Sequence, residues 1–111
     1  MIHVLRAKAT KQQLSEMLAE LEVYVKLAVD IERGVVAGGG VLHADCEAAL
    51  LADGSGQDGI WGADWIPRTE EVRFEALINI RPDRGNASMT IQDARVRDRV
   101  RDVVRRMLEG V

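Results

Sequence analysis

The chain has few residues of several kinds, and each shortage excludes a class of protein. Its 111 residues include a single cysteine, so no disulfide can form within the chain, and a reducing compartment such as the cytoplasm is expected. No apolar run approaches the ~18 residues of a membrane-spanning helix, and the N-terminal segment has no signal-peptide pattern. Aromatic residues amount to only 4%, so aliphatic side chains must build the core.

A strong excess of one charge is also missing. Lys and Arg number 15 against 18 Asp and Glu, which gives a formal charge of −3. This balance disfavours nucleic acid or an anionic membrane as the main partner. The arginines between residues 95 and 106 alternate with Asp98, Asp102 and Glu109 at helical ion-pair spacing, which predicts a salt-bridged solvent face.

The apolar residues that are present follow two periods. A period of two predicts strands, and a period near 3.6 predicts helices. We expect strands at 2–6, from 25 to about 37, at 60–66 and at 71–80, and helices at 11–22 and from Asp93 onward. Thr10 and Gln13 have the spacing of a capping box at the start of the first helix. No linker divides the chain, so residues 1–111 are expected to form one domain.

The stretch GGGVLHADCEAALL, residues 38–51, carries conflicting signals. Its Ala, Glu and Leu content favours a helix, whereas the alternation of apolar and polar residues up to position 48 favours a strand. We predict a strand that returns from a glycine turn. His43 and Cys46 would then face opposite sides of the sheet, whereas a helix would place them on one side.

These elements predict an α+β fold. An antiparallel sheet of four to five strands would pack its N-terminal and C-terminal helices on one face. The other face and the edge strands would remain available to a partner, and this arrangement predicts a homo-oligomer or a protein partner.

Acidic residues and one histidine gather on the exposed face of the predicted hairpin. An imidazole with several carboxylates can bind Mn²⁺, Fe²⁺ or Zn²⁺, or can act as a general acid. The candidate binding surface comprises Asp30, Glu32, His43, Asp45, Glu47 and Asp64, with His43, Asp45 and Glu47 as possible metal ligands. The favoured interpretation of these charges is an ordinary solvated face, neutralised by Lys26, Arg33 and Arg73.

Two further features each allow a functional and a structural interpretation. Trp61 and Trp65 share one side of their strand and either bind a ligand or partner at the surface or fill the core. The glycine run 38–40 lacks the spacing of a phosphate-binding loop and is interpreted as a turn.

Several motifs in order resemble those of a family of small, mainly bacterial proteins classed as a domain of unknown function. They are VDIERG, AGGGVLHAD, DGSGQDGIWGADW, LINIRP, NAS and IQD, followed by the closing amphipathic helix. The resemblance covers nearly the whole chain. It implies a free-standing cytoplasmic domain, and it implies no activity and no catalytic residue.

The leading prediction is therefore a small cytoplasmic binding or interaction module that self-associates. The alternative is a small metal-dependent enzyme of hydrolase type that uses His43, Asp45 and Glu47 with Asp30 and Asp64. A nucleic-acid regulator is the least favoured class, because the charge on the chain is balanced.

Overall fold

The computed structural model describes residues 1–111, which form a five-stranded antiparallel sheet and three α-helices. The elements in chain order are β1 (His3–Leu5), α1 (Lys11–Met17), β2 (Val25–Asp30), β3 (Val35–Gly38), α2 (His43–Ala52), β4 (Ile60–Ile66), β5 (Glu71–Arg73) and α3 (Ala94–Leu108). In space the strands lie in the order β1-β3-β2-β4-β5. The predicted α+β class with an antiparallel sheet is confirmed. No helix has the length and apolarity needed to cross a membrane.

One face of the sheet packs against α1 and α3. Because side chains alternate along a strand, Leu27 of β2 and its cross-strand neighbour Ala63 of β4 point to the same side. The buried cluster on this side includes residues from both helices, namely Leu14, Met17, Val100, Val103, Val104, Met107 and Leu108. The helices at the two ends of the chain thus share one core, in agreement with the prediction.

Helix α3 has the amphipathic pattern that the sequence predicts. Its apolar side lies in the core, and Asp93 caps its first turn by accepting from the backbone N–H of Arg95 at 2.8 Å. On its outer side Arg101 and Arg105 pair with Asp98 and Glu109 at 2.9 and 3.1 Å, as the i+3 and i+4 spacings predict.

The second face of the sheet is covered by α2, so the expectation of a face left open to a partner is wrong. Cys46 and Leu50 of α2 pack against Ala28 and Ala37, with Ile60 beside them, in a separate buried cluster. Small side chains on the central strands let the helix approach the sheet closely. The protein therefore has three layers, with helices on both sides of the sheet.

The prediction of a strand within residues 42–51 is wrong, because His43–Ala52 forms a helix. Cys46 and Leu50, one helical turn apart, are its fully buried residues, and its remaining side chains are at least partly exposed. Such a narrow buried stripe fits one helix lying on a sheet. His43 and Cys46 consequently do not face opposite sides but lie three residues apart on one helix.

The predicted strand that begins at residue 25 is in fact two strands joined by a tight turn. Asp30 ends β2, and its carboxylate accepts from the backbone N–H groups of Glu32 and Arg33 at 2.9 and 3.0 Å. Gly34 follows with φ of 67°, a conformation that glycine adopts without strain. The hairpin therefore turns at 31–34, and the glycines at 38–40 end β3 instead.

Two other predicted elements are shorter than expected. The capping box of Thr10 and Gln13 is present, but α1 ends at Met17, and the chain turns at Glu22 with φ of 64°. Strand β5 ends at Arg73, whereas the alternation predicted a strand to residue 80. A short 3₁₀ turn, Leu77–Asn79, replaces the end of that strand and places Asn79 in the interior.

Asp53, which caps the C-terminus of α2, joins the helix to two other parts of the chain. It pairs with Arg33 at 2.9 Å and with Arg6. The hydrogen bond from Arg33, followed by that from Arg6, lowers the pKa of Asp53 below its ordinary value of 3.8. A depressed carboxyl pKa stabilises the folded state above the unfolded pKa, and this stabilisation is lost as the pH falls through the folded pKa.

We therefore expect Asp53→Asn to lower the urea midpoint at pH 7, and the difference from the wild type to shrink as the pH falls below about 4. The measurement is urea unfolding followed by tryptophan fluorescence between pH 7 and pH 2. Glu71→Gln is the control, because Glu71 pairs with Arg73 at the exposed surface and is expected to change little. If the urea midpoint of Asp53→Asn stayed below that of the wild type by the same amount down to pH 2, the expectation would be contradicted.

Candidate functional site

The site forms where α2 begins above the centre of the sheet. Gly39, with φ of 105°, lets the chain leave β3 and cross to the second face. The backbone carbonyl of Lys26 on β2 accepts from the N–H of Gly39 at 3.2 Å and from the Cys46 thiol at 3.4 Å. These two contacts fix the first turn of α2 over β2, and His43 is the first residue of that turn.

His43 is paired with Asp64 on β4. Its Nε2 lies 2.8 Å from Oδ1 of Asp64 and 3.1 Å from the backbone carbonyl oxygen of Ala63. A carbonyl oxygen only accepts hydrogen bonds, so Nε2 carries the proton and donates to both oxygens. In the neutral ring, Nδ1 then holds the free lone pair and has no hydrogen-bonding partner within the protein. The sequence named both residues as candidates but did not predict that they pair.

A cleft of about 330 Å³ opens beside His43, and we call it the His43 cleft. Most of its lining is apolar and comes from the start of α2 and from residues 76–89. The lining residues are Leu42, Ala44, Ala76, Leu77, Ile78 and Met89, with Lys26, His43 and Glu75 as the polar members. A concave apolar surface with a few converging polar groups is the usual form of a small-molecule site.

Two charged groups in the His43 cleft have no partner. Lys26 is the cross-strand neighbour of Asp64, but the Asp64 carboxylate is already engaged by His43. The Lys26 ammonium makes no hydrogen bond or ion pair, although its side chain is half-buried. Glu75 is also unpaired, but it is exposed at the rim. The inner wall therefore has an available cation, whereas solvent screens the anion.

The outer wall of the cleft is held by a buried asparagine that the sequence analysis missed. Asn79 is 0% exposed, and its side-chain oxygen accepts from Gly62 N–H at 2.7 Å while its amide nitrogen donates to Gly62 O at 3.0 Å. It also donates to Met89 O at 3.1 Å. The Asn79 amide thus takes the place of a strand residue beside β4, beyond the point where β5 ends.

A second buried asparagine braces the same wall. The side-chain nitrogen of Asn86 lies 2.8 Å from Asn79 O and 3.1 Å from Thr90 O, and its oxygen accepts from Gln92 N–H at 2.8 Å. The backbones of Arg81 and Asn86 also pair in both directions. Because the side chains of Asn79 and Asn86 are both buried and hydrogen-bonded to this loop, the loop from 74 to 92 is a fixed wall and not a free connection.

The structure does not bring the predicted metal ligands together. His43 turns to Asp64, Asp45 is exposed on α2, and Glu47 pairs with Arg81 at 3.4 Å. Asp30 caps the β2–β3 turn at the far end of β2, and Glu32 is exposed in that turn. No group of three His, Cys, Asp or Glu side chains is placed to hold a metal ion. The hypothesis of a metal-dependent enzyme therefore has no geometric support.

Cys46 lies below His43 and has a structural environment. It is 0% exposed, and burial raises the pKa of its thiol above the ordinary value, with a smaller contribution from Asp45. A buried, protonated thiol is a poor nucleophile. Cys46 acts instead as a small apolar residue in the cluster beneath α2.

Trp61 and Trp65 share one side of β4, as predicted, and this side faces the core. They are 7% and 1% exposed and belong to the cluster under α1 and α3. The guanidinium of Arg81 lies over the Trp61 ring at 5.0 Å. Burial lowers the pKa of Arg81, although the charge of Glu47 opposes this effect. The tryptophans thus fill the core and are not available as a binding surface.

Comparison with known proteins identifies a family but no activity. Neither the curated proteins nor the solved structures gave a match. A family model described as "Protein of unknown function (DUF5674)" matches residues 3–107, which include every element of the sheet and every residue of the His43 cleft. The resemblance to a family of unknown function is thereby confirmed, and the chain belongs to the DUF5674 family.

Proposed function

We propose that the protein is a binding module that takes a small amphipathic anion into the His43 cleft. The observation that carries this proposal is that Lys26, whose ammonium is unpaired, lines a mostly apolar cleft. An apolar body would cover Leu77, which is 71% exposed, and Leu42, which is 55% exposed. An anionic end would form an ion pair with the half-buried Lys26 ammonium. Such a charge-assisted contact is stronger than a neutral hydrogen bond.

The size of the cleft supports a small molecule as the occupant. Its volume of about 330 Å³ lies at the lower end of the range typical of ligand pockets. The wall is already fixed by Asn79 and Asn86, so binding would not require the loop to fold. A preformed site loses less conformational entropy on binding than a flexible one.

The test is a titration of the isotope-labelled protein with hexanoate, followed by amide chemical shifts. We expect shifts at residues 42–44 and 76–78 with an affinity in about the millimolar range, and weaker shifts with hexylamine. Leu77→Asp should weaken hexanoate binding about tenfold or more, since it removes apolar contact and adds a negative charge. Leu51→Asp is the matched control, because Leu51 is an exposed leucine on α2 that does not line the cleft. Equal binding by the two variants would contradict the proposal.

A protein partner, first of all a second copy of the chain, is the competing occupant. Leu42, Leu77 and Met89 are exposed around one cleft, and a concentrated apolar surface of this kind is typical of an interface. Light scattering on the same samples separates the two proposals. A dimer that Leu77→Asp dissociates, without any hexanoate shift in the wild type, would favour self-association.

The single cysteine supports the further proposal that the protein works in the reducing cytoplasm.

A further inference from the structure

We propose that the protein hydrolyses a carboxylic ester bound in the His43 cleft without using a metal ion. His43, oriented by Asp64, acts as the general base. This inference rests on the proposed function, because the apolar part of the ester would occupy the same cleft. It goes beyond binding in assigning a chemical step to a nitrogen atom that the fold leaves free.

The hydrogen bonds of His43 determine which nitrogen can act. Donation from Nε2 to both Asp64 and Ala63 O places the ring proton on Nε2 and leaves Nδ1 as the basic nitrogen. Trp65 Nε1 is the only fully buried side-chain nitrogen or oxygen that lacks a hydrogen-bonding partner. Since His43 Nδ1 also lacks a partner, it must be accessible to solvent. The ring lines the cleft, so a water or substrate there can reach an unoccupied base.

Asp64 has the role of a positioning residue. Its carboxylate holds the proton on Nε2 and stabilises the positive ring that forms when Nδ1 accepts a second proton. Both partners are largely withdrawn from solvent, since their side chains are 12% and 15% exposed. Burial strengthens the charge interaction between the protonated ring and the carboxylate.

Lys26 supplies the complementary charge. Lys26 lines the same cleft and its ammonium is unpaired, so it can stabilise the negative oxygen that develops when an ester carbonyl is attacked. Cys46 is buried and protonated, so a water molecule and not the thiol is the nucleophile.

The step balances with water as the only co-reactant. His43 Nδ1 takes a proton from water while the water oxygen bonds to the carbonyl carbon, and the carbonyl π electrons move to the oxygen beside Lys26. The tetrahedral species then re-forms the carbonyl and breaks its bond to the alkoxy oxygen. The protonated Nδ1 returns its proton to the departing alkoxide, so the products are a carboxylic acid and an alcohol.

His3 provides a matched control within the same chain. Its Nε2 also lies 2.8 Å from a carboxylate, that of Glu16, and its side chain is partly buried. It does not line the His43 cleft, and no backbone carbonyl shares its proton. A histidine–carboxylate pair alone is thus present twice, whereas the pair beside an apolar cleft with a free ammonium is present once.

The experiment measures hydrolysis of p-nitrophenyl butyrate by the wild type, His43→Gln, Asp64→Asn and His3→Gln. We expect His43→Gln to lose about 10²–10⁴-fold in kcat/KM and His3→Gln to retain it. Asp64→Asn should lower kcat with little change in KM, because the neutral amide no longer stabilises the positive ring. Nitrogen chemical shifts of the ring should show that Ala63 O still keeps the proton on Nε2.

Hexanoate titration of each variant separates this inference from the proposed function. Lost hydrolysis with retained hexanoate binding in His43→Gln would support the general base. A wild type that hydrolyses the ester no faster than His43→Gln would overturn the inference, and so would an equal loss in His3→Gln. If the wild type still bound hexanoate in either case, the binding function would stand without the catalytic step. If hexanoate did not bind the wild type, the binding function would fail as well.

Discussion

Replacing Asn79 by alanine is expected to lower the free energy of unfolding by about 3–5 kcal/mol. The side chain is fully buried and satisfies the N–H and C=O of Gly62 and the C=O of Met89. Alanine would leave the N–H and C=O of Gly62 without partners, whereas Met89 O would keep its bond from Ala76 N–H. Each unsatisfied buried group costs about 1–3 kcal/mol. Urea unfolding followed by tryptophan fluorescence measures the change.

The control for this loss is Gln12→Ala. Gln12 lies exposed on α1, and its side chain makes no hydrogen bond, so the substitution should change stability by about 0.5 kcal/mol or less. If Asn79→Ala were as stable as Gln12→Ala, the Asn79 amide would not be what joins the 74–80 segment to β4.

The role of Asn79 also connects stability with function. Ala76, Leu77 and Ile78 line the cleft and directly precede it in the chain. Detaching the Asn79 amide from Gly62 would release this wall, so hexanoate binding should weaken even where the variant remains folded. Fold and site thus depend on the same buried hydrogen bonds.

The sheet and its first core were predictable because their signals are local. In β2 the apolar residues Val25, Leu27 and Val29 occupy alternate positions, and α3 carries a continuous apolar stripe, so each element shows its buried side over a few residues. The capping box at Thr10 was predictable for the same reason. Such patterns do not depend on which distant segment covers the apolar side.

The second core was not predictable, because its evidence is divided among distant residues. Helix α2 buries only Cys46 and Leu50 completely, and Ala44 and Ala48 fit either period. The decisive fact is the smooth surface that Ala28 and Ala37 offer on β2 and β3. Residues 42–51 carry no information about that distant surface, so their alternation of apolar and polar residues was interpreted as a strand.

The same limit applies to the site. Both His43 and Asp64 were candidates from the sequence, but they are 21 residues apart, and only the position of α2 over the sheet joins them. Asn79 fell within the strand predicted at 71–80, since nothing nearby in the sequence distinguishes a solvated asparagine from one that replaces a strand partner. The sequence therefore identified His43 and Asp64 as candidate residues, but it did not predict which residues pair in the folded protein.

Replacing Gly62 by valine is expected to lower the free energy of unfolding by about 1–3 kcal/mol or more, and to close part of the His43 cleft. A Cβ atom at Gly62 would collide with the Cβ of Ala76, and would lie 2.9 Å from Cγ1 of Ile78. The obstacle lies in the 74–80 segment, which the Asn79 amide holds against β4. The wall must therefore move outward, or the strand must bend.

Gly56→Ala is the matched glycine control. Gly56 has an ordinary φ of −84°, and no atom lies within 4 Å of where its Cβ would be. A new side chain there should be neutral or should stabilise the protein by about 0.4–1 kcal/mol, since it restricts the unfolded chain. Unfolding and the hexanoate titration are measured on both variants. If Gly62→Val matched the wild type in stability and binding, the wall would not contact β4 closely, and the rigid cleft on which the binding proposal depends would have to be abandoned.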